Sequence, residues 1–366
     1  MKILHVVAGL SPSGGGLSEA VPMFAWKAAM AGQTVILATI ATDTDRLSDV
    51  TEKARSYGVK VVCFAPSWPH FLFFSWQMFF GFRYWVKQAD IIHIHSNWTF
   101  PVWWACLLAI LLGKPYVMSP HGAFDPVRLI HSAWKKKLVG WMDRFFLRRA
   151  ALVHALSEVE AKWIECAIAN KRTRQMICIV PNGVEYLDKD TETARKCCDR
   201  LLGDAQEKTR TVLYLGRNHP LKGLDILGEA WQKVKRDGWR LALVGAGLPD
   251  GVVEGEKKWS VLRSADVFVL PTRSEGFPLS VLEALAVGVP VITTKGAPWE
   301  ELVSEQCGWW VDVGVEPLAD ALREAMNLTD KERRVMGENG QRLIERKYKW
   351  ETVAKQMVEL YETVAY

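Results

Sequence analysis

The chain has 366 residues, 49% apolar and 24% charged, with a net charge of +5; this is the composition of a globular protein with a sizeable core and argues against a disordered, collagen-like or membrane-spanning class. Seven cysteines show no C-x-x-C or metal-finger spacing, which fits a reducing compartment better than a disulfide framework. The charge is uneven: net +8 over residues 1–185, which also hold 12 of the 14 Phe and 10 of the 17 Trp, against −3 over residues 186–366, so only the first half is expected to meet an anionic surface.

Residues 2–8 are apolar and β-rich, and they run straight into a Gly/Ser/Pro turn ending at Gly14, Gly15 and Gly16. That reads as a first strand, with too short an apolar run for an export signal. Helical spacing follows over 17–31. Further strands are predicted at 33–39, 59–64, 90–95, 114–119, 151–157 and 176–180, with helices between them. Residues 91–113 lack Asp, Glu, Lys and Arg, and read as strand, loop and buried helix, not as a membrane span. Residues 186–209 are polar, and a domain boundary is placed there. The alternation then restarts, with strands at 211–215, 240–244, 267–270, 289–293 and 309–311, and helices notably at 224–237, 281–286 and 315–326. The tail from about residue 330 reads as helical throughout, anchored by Trp350 and Tyr361. The expected fold is α/β: two Rossmann-like domains, 1–185 and 186–345, facing a cleft.

Four constellations carry chemistry. The strongest follows the strand at 267–270: a loop with Glu275, then a helix with Glu283 eight residues on. Ser274 is expected to cap that turn. A helix N-terminus at the C-terminal edge of a parallel sheet suits a phosphate, and two carboxylates beside it suit hydroxyls. The second is Gly216-Arg217 through Lys222-Gly223, placing two cations at a strand end, where a diphosphate is neutralised. The third is His121-Gly122, a turn whose imidazole either donates to a ligand or is structural. His93 and His95 share one strand face, but without an evident third ligand they read as structural and no metal site is expected. The fourth is basic and aromatic: residues 64–82, and the helix-like run carrying Trp134, Leu138, Trp141 and Phe145 among Lys and Arg. It suits either a membrane surface or a solvated helix face packed on a sheet. No nucleic-acid module is present.

Together and in this order, these motifs, with Ser157-Glu158, Pro181-Asn182-Gly183-Val184, and the Gly288-x-Pro-Val-Ile-Thr-Thr run after Glu283, resemble glycosyltransferase family 4, of the GT-B fold. The tract 296–310 looks like a subgroup from bacterial surface-polysaccharide pathways, and residues 346–366 with Trp350 look like the family helix that returns to the first domain. The resemblance implies that Arg217 and Lys222 hold a donor diphosphate, Glu283 the ribose, and Glu275 the transferred sugar. It also implies that the backbone of Gly276, Phe277, Pro278 and Leu279 completes the cradle, that Gly15 and Gly16 close over it, and that His121 lies by the sugar and β-phosphate. It implies retention of anomeric configuration, no metal and no cofactor. The donor would be a UDP- or GDP-sugar and the acceptor a lipid-linked saccharide at the inner face of the cytoplasmic membrane. A nucleotide-sugar epimerase and a non-catalytic sugar-nucleotide-binding scaffold are the alternatives. One departure concerns residues 244–259, where the chain is shorter than the family pattern in a region that commonly borders the base.

Overall fold

The computed structural model describes every residue except 11–15, 43, 131–132, 169–176, 186–208, 254 and 366, and leaves aside the side chains of 44–48, 130 and 133–139. The chain forms two compact units, Met1–Gly183 with Trp350–Tyr366, and Val184–Lys349.

The first unit is built on seven parallel strands: β1 Lys2–Val6, β2 Thr34–Ile40, β3 Lys60–Phe64, β4 Ile91–His95, β5 Tyr116–Ser119, β6 Leu152–Ala155 and β7 Ile177–Ile179. Their order is β3-β2-β1-β4-β5-β6-β7. Both faces are covered, which is why the strands are near-continuous apolar runs. Leu4, Val6, Ile36, Ala38, Ile92, Ile94, Met118 and Val153 face one core, with the helices Trp76–Gln88 and Phe100–Leu111. Ile3, Val35, Leu37, Ile91, Val117 and Leu152 face the other, with Gly16–Met30 and the C-terminal helix Trp350–Ala365. The charge-free stretch at 91–113 is therefore β4 and a packed helix. Among the described residues no helix is long and apolar enough to cross a membrane.

The C-terminal helix is fixed by Trp350, whose ring meets Phe24 edge-on at 4.9 Å, and by an ion pair of 2.7 Å between Lys27 and Glu351. Gly183 lets Trp350 approach: a Cβ there would lie 2.6 Å from the indole Cδ2. The tail is not helical throughout. After Asp330–Leu343 and a π-turn at Ile344–Tyr348, Lys349 is extended (φ −66, ψ 138) and bridges to Val184 before the last helix begins. Tyr348 is buried in the core of the second unit and Trp350 in that of the first, so the chain changes core within two residues.

The second unit has five parallel strands: β8 Arg210–Leu215, β9 Trp239–Val244, β10 Val267–Leu270, β11 Val291–Thr294 and β12 Gly308–Val311, ordered β12-β11-β10-β8-β9. All twelve predicted strands are present, displaced by at most a few residues. Both sheets reverse direction once, between β1 and β4 and between β8 and β10. At such a reversal the loops leaving the two strands part to opposite faces of the sheet, and the crevice at their C-terminal ends takes ligands.

Candidate donor-sugar site

The loops after β8 and β10 flank the reversal of the second sheet, and they are sewn together. Thr272 Oγ1 donates to the Leu221 carbonyl at 2.9 Å, and the Arg273 amide donates to the same carbonyl at 2.7 Å. Arg273 also grips Asp225 and the Pro220 carbonyl, at 2.8 and 2.9 Å; it holds the Asp225 carboxyl down at about 2. Gly223, at φ +68, makes the seam possible, because a Cβ there would lie 2.0 Å from the Pro271 oxygen. Gly245 serves the next loop in the same way, with its Cβ position 1.8 Å from the Gly216 oxygen.

This seam brings Lys222, at the end of the 3-10 turn Pro220–Lys222, onto Glu275, and the two are ion-paired. Glu275 is buried, and its amide donates to Gly296 at 2.8 Å. Phe277 anchors the loop, its ring 5.2 Å from that of Trp299 and 5.9 Å from that of Tyr348. The helix Leu279–Ala286 follows. Its N-cap is Pro278, with no side-chain cap bond, so the expected cap by Ser274 is not formed: Ser274 lies four residues too early, and its amide instead meets Thr272 Oγ1 at 3.3 Å. The Val281 amide turns to the Pro278 carbonyl at 3.3 Å, and with no side-chain cap the N–H groups before it are not met by a capping side chain. Glu283, one turn in and buried, pairs at 2.8 Å with Lys258. Lys258 was not anticipated. It lies on the helix Gly255–Arg263, which the short segment after β9 reaches at once. The signal available was Glu256-Lys257-Lys258-Trp259, a basic pair in the region flagged as departing from the family pattern. Arg217 is exposed just beyond β8, its carbonyl accepting from Tyr214 at 3.0 Å. The structure thus joins Lys222 to Glu275 and adds Lys258 to Glu283, giving two cation–carboxylate pairs along one sheet edge.

In the first unit, His121 follows β5 in the left-handed region (φ 53), with Gly122 at φ 76. The turn is clamped by a residue that sequence reasoning passed over. Glu160, fully buried, accepts from the amides of Gly122 at 2.5 Å and Leu156 at 2.8 Å, tying the ends of β5 and β6; burial pushes its carboxyl up. In sequence it looks like any acid near a helix start. Gly16 opens the helix Gly16–Met30, whereas Gly15 lies outside the described residues.

Below His121 the structure corrects the reading of His93 and His95 as a pair lacking a third partner. His5, from β1, joins them, and the ligating atoms of all three lie within 4.8 Å of one another. His93 has both nitrogens engaged, however, with Tyr361 Oη at 2.5 Å and Ser119 Oγ at 2.6 Å. A cation would have to break one of these bonds, so the group reads as a hydrogen-bonded layer.

The aromatic segment supplies exposed rings: Trp68 at 81%, Phe71 at 77% and Phe80 at 75% exposure, with Trp76 and Tyr84 also outside. On the helix Ala133–Leu147, Trp141 is exposed at 64% and Phe145 at 41%; the side chains of Trp134 and Leu138 lie outside the described residues.

Comparison with known proteins agrees with this architecture. The family "Glycosyl transferase 4-like domain" matches residues 15–183, and "Glycosyl transferases group 1" matches residues 209–327. Among relatives, the GDP-mannose:cellobiosyl-diphosphopolyprenol alpha-mannosyltransferase of Xanthomonas campestris is 26% identical over 342 residues, covering 83% of this chain and 81% of its own. A phosphatidyl-myo-inositol mannosyltransferase of Mycobacterium tuberculosis is 30% identical over 238 residues, 58% of this chain and 59% of its own. Among solved structures, Anabaena HepE in complex with UDP and glucose superposes with a TM-score of 0.77 at 17% identity, covering 99% of this chain and 100% of that one, a likeness of fold. With one family matching each unit, and the motifs Glu275-x7-Glu283 and Arg217…Lys222 at the reversal of the second sheet, the chain belongs to glycosyltransferase family 4 and has the GT-B fold.

Proposed function

We propose that this glycosyltransferase is a retaining, metal-independent hexosyltransferase. In this reading it moves a sugar from a UDP- or GDP-sugar to a lipid-linked saccharide at the inner face of the cytoplasmic membrane, in bacterial surface-polysaccharide synthesis. The observation that carries the reading is the pair of lysine–carboxylate contacts, Lys222–Glu275 and Lys258–Glu283, beside the uncapped helix start. A nucleotide sugar offers both halves of what these pairs bind. Its phosphates take Lys222 and Arg217, and its hydroxyls donate to Glu275 and Glu283, so the Lys222–Glu275 contact is exchanged for charge-assisted ones. The Gly276–Leu279 backbone adds N–H donors.

The chemistry follows from that exchange. The bond between the anomeric carbon and the phosphate oxygen breaks while the acceptor oxygen bonds to the same carbon on the same face. The acceptor's proton passes to the departing phosphate, and Arg217 and Lys222 stabilise the charge that develops there. Glu275 orients the sugar and is neither nucleophile nor base. The family resemblance also assigns His121, Gly15 and Gly16 of the first unit to the donor. The relative whose name specifies a diphosphopolyprenol acceptor supports the lipid-linked part, and the exposed Trp68, Phe71, Trp76, Phe80, Tyr84 and Trp141 suit a bilayer interface.

UDP-, GDP- and ADP-sugars are to be screened by thermal shift, then by transfer to a lipid-linked acceptor. A cognate donor at 100 times its Kd stabilises by about 2.7 kcal/mol. Transfer persists in EDTA; its loss, with recovery on adding a divalent cation, refutes the metal-free mechanism. Undiminished transfer by Glu275→Ala refutes the role of that residue. A high-salt wash leaves the protein on membranes if the rings insert, and full release refutes insertion.

A further inference from the structure

Five of the chain's eight histidines meet on one face of the first sheet: His5, His93, His95 and His154 from the strands, and His121 just beyond β5. Ser119 and Tyr361 complete the layer. Burial lowers all five pKa values, to about 3 for His5 and His121, to about 4 for His154, and well below the usual range for His93 and His95. Each ring is therefore neutral and carries one N–H, so the order of donors along each line can be worked out.

One line is fixed from its end. The Val180 carbonyl can only accept, so His154 Nε2 donates to it at 2.7 Å. His154 Nδ1 then accepts from Ser119 Oγ at 2.6 Å, Ser119 accepts from His93 Nε2, and His93 Nδ1 accepts from Tyr361. The second line runs His5 Nδ1–His95 Nε2 at 2.9 Å and His95 Nδ1–His121 Nε2 at 3.0 Å. At its inner end His5 Nε2 is buried with no described partner. An orphaned buried N–H is rarer and costlier than an orphaned acceptor. The proton of His5 therefore sits on Nδ1 and is donated to His95, whose own proton on Nδ1 is donated to His121 Nε2.

We propose that His5 and His95 are positioning residues that hold His121 as its Nδ1–H tautomer, so that its outward nitrogen is a hydrogen-bond donor. This rests on the reading that His121 touches the nucleotide sugar. A neutral donor suits a sugar hydroxyl or a β-phosphate oxygen; the opposite tautomer would turn a lone pair towards the leaving group as its negative charge grows. The two lines also pack against each other, with the His93 and His95 rings 3.9 Å apart and tilted by 37°, which keeps His95 from rotating to exchange its nitrogens.

The test begins with the unsubstituted protein, ¹⁵N-labelled at histidine, in long-range ¹H–¹⁵N spectra at neutral pH; His121→Gln assigns the signals. His121 Nδ1 is expected in the protonated range and Nε2 in the unprotonated range, and the reverse overturns the proposal whatever the variants do. Activity is then read as release of nucleoside diphosphate from whichever of UDP-glucose, GDP-mannose and ADP-glucose turns over. His95→Leu removes the donor to His121 and is expected to lower kcat roughly 10- to 100-fold, the usual cost of losing an orienting partner, with little change in donor KM. His95→Asn keeps an N–H near the Nδ1 position and is expected to recover most of that loss. Equal kcat in the leucine variant and the unsubstituted protein, with melting temperatures matched, overturns the proposal. Should that variant not fold, the spectra decide alone. If His121→Gln itself leaves turnover unchanged, the reading of His121 as a donor-site residue falls, while the spectra still report the tautomer.

Discussion

Lowering the pH from 7 to 5.5 should destabilise the first unit far more than the second. His5, His93, His95 and His154 are at most 1% exposed and are held neutral by burial, whereas in the unfolded chain each titrates near 6.5. Their folded values lie below the unfolded one, so between the two the unfolded state binds the extra proton and stability falls as pH falls. Each group costs about 0.2 kcal/mol at pH 7 and about 1.4 kcal/mol at pH 5.5, a difference of about 5 kcal/mol for four. His121, partly exposed, is left out of that sum. At pH 5.5 the four together bind about 3.6 more protons when unfolded, a slope of about 5 kcal/mol per pH unit. Asp143 and Glu160, whose carboxyls burial raises, act in the opposite sense by at most about one proton each, which leaves a slope of at least about 2 kcal/mol per pH unit. Whole-domain stabilities are only about 5–15 kcal/mol, so the effect is large. Hydrogen exchange read by mass spectrometry, corrected for the pH dependence of intrinsic exchange, separates the units. Opening free energies of peptides from β1, β4, β5 and β6 should fall steeply from pH 7 to 5.5, while those from β8, β10 and β11 stay flat or rise by at most about 1.4 kcal/mol per pH unit, because burial raises the Asp266 carboxyl there. A slope below about 1.4 kcal/mol per unit in the first set, less than one proton, would refute the neutral layer.

Three substitutions probe the rest. Gly223→Ala places a methyl 2.0 Å from the Pro271 oxygen at a positive φ and should part the Lys222 and Glu275 loops; transfer is expected to fall more than tenfold, with a stability loss of about 1–3 kcal/mol by denaturation. Gly183→Ala pushes on Trp350 and should cost a similar 1–3 kcal/mol, roughly, read as faster proteolysis within Trp350–Ala365; unchanged cleavage there would contradict the packing. Lys258→Met leaves the buried Glu283 without its 2.8 Å cation and is expected to destabilise the second unit by about 1–3 kcal/mol, with part of the loss removed by Glu283→Gln in the same chain; additive effects would mean the two residues are not coupled.

The strands were legible because a parallel sheet covered on both faces requires apolar runs of strand length separated by helical spacing, and each of the twelve runs meets that requirement. The loops after β8 and β10 were legible because glycines stand where backbones nearly touch, at Gly223 and Gly296, where a Cβ would lie 2.0 and 2.2 Å from a backbone oxygen. What spacing does not encode is the partner of a buried polar group. His93 and His95 share a face by the two-residue period of β4, and that much could be read. Their partners His5, Ser119, His154 and Tyr361 come from β1, β5, β6 and a helix whose Tyr361 is 268 residues from His93, and only the strand order brings them together. Lys258 and Glu283 are a parallel case, since a helix that packs in one rotation about its axis meets the carboxylate and in another does not. The missed cap has the same origin: Ser274 is a good capping residue in composition, but the loop must first reach Gly296 with the Glu275 amide and bury Phe277 on Trp299, which delays the helix to Leu279. Tertiary contacts, by deciding where the chain may turn, move the helix start to Leu279, beyond the reach of the serine.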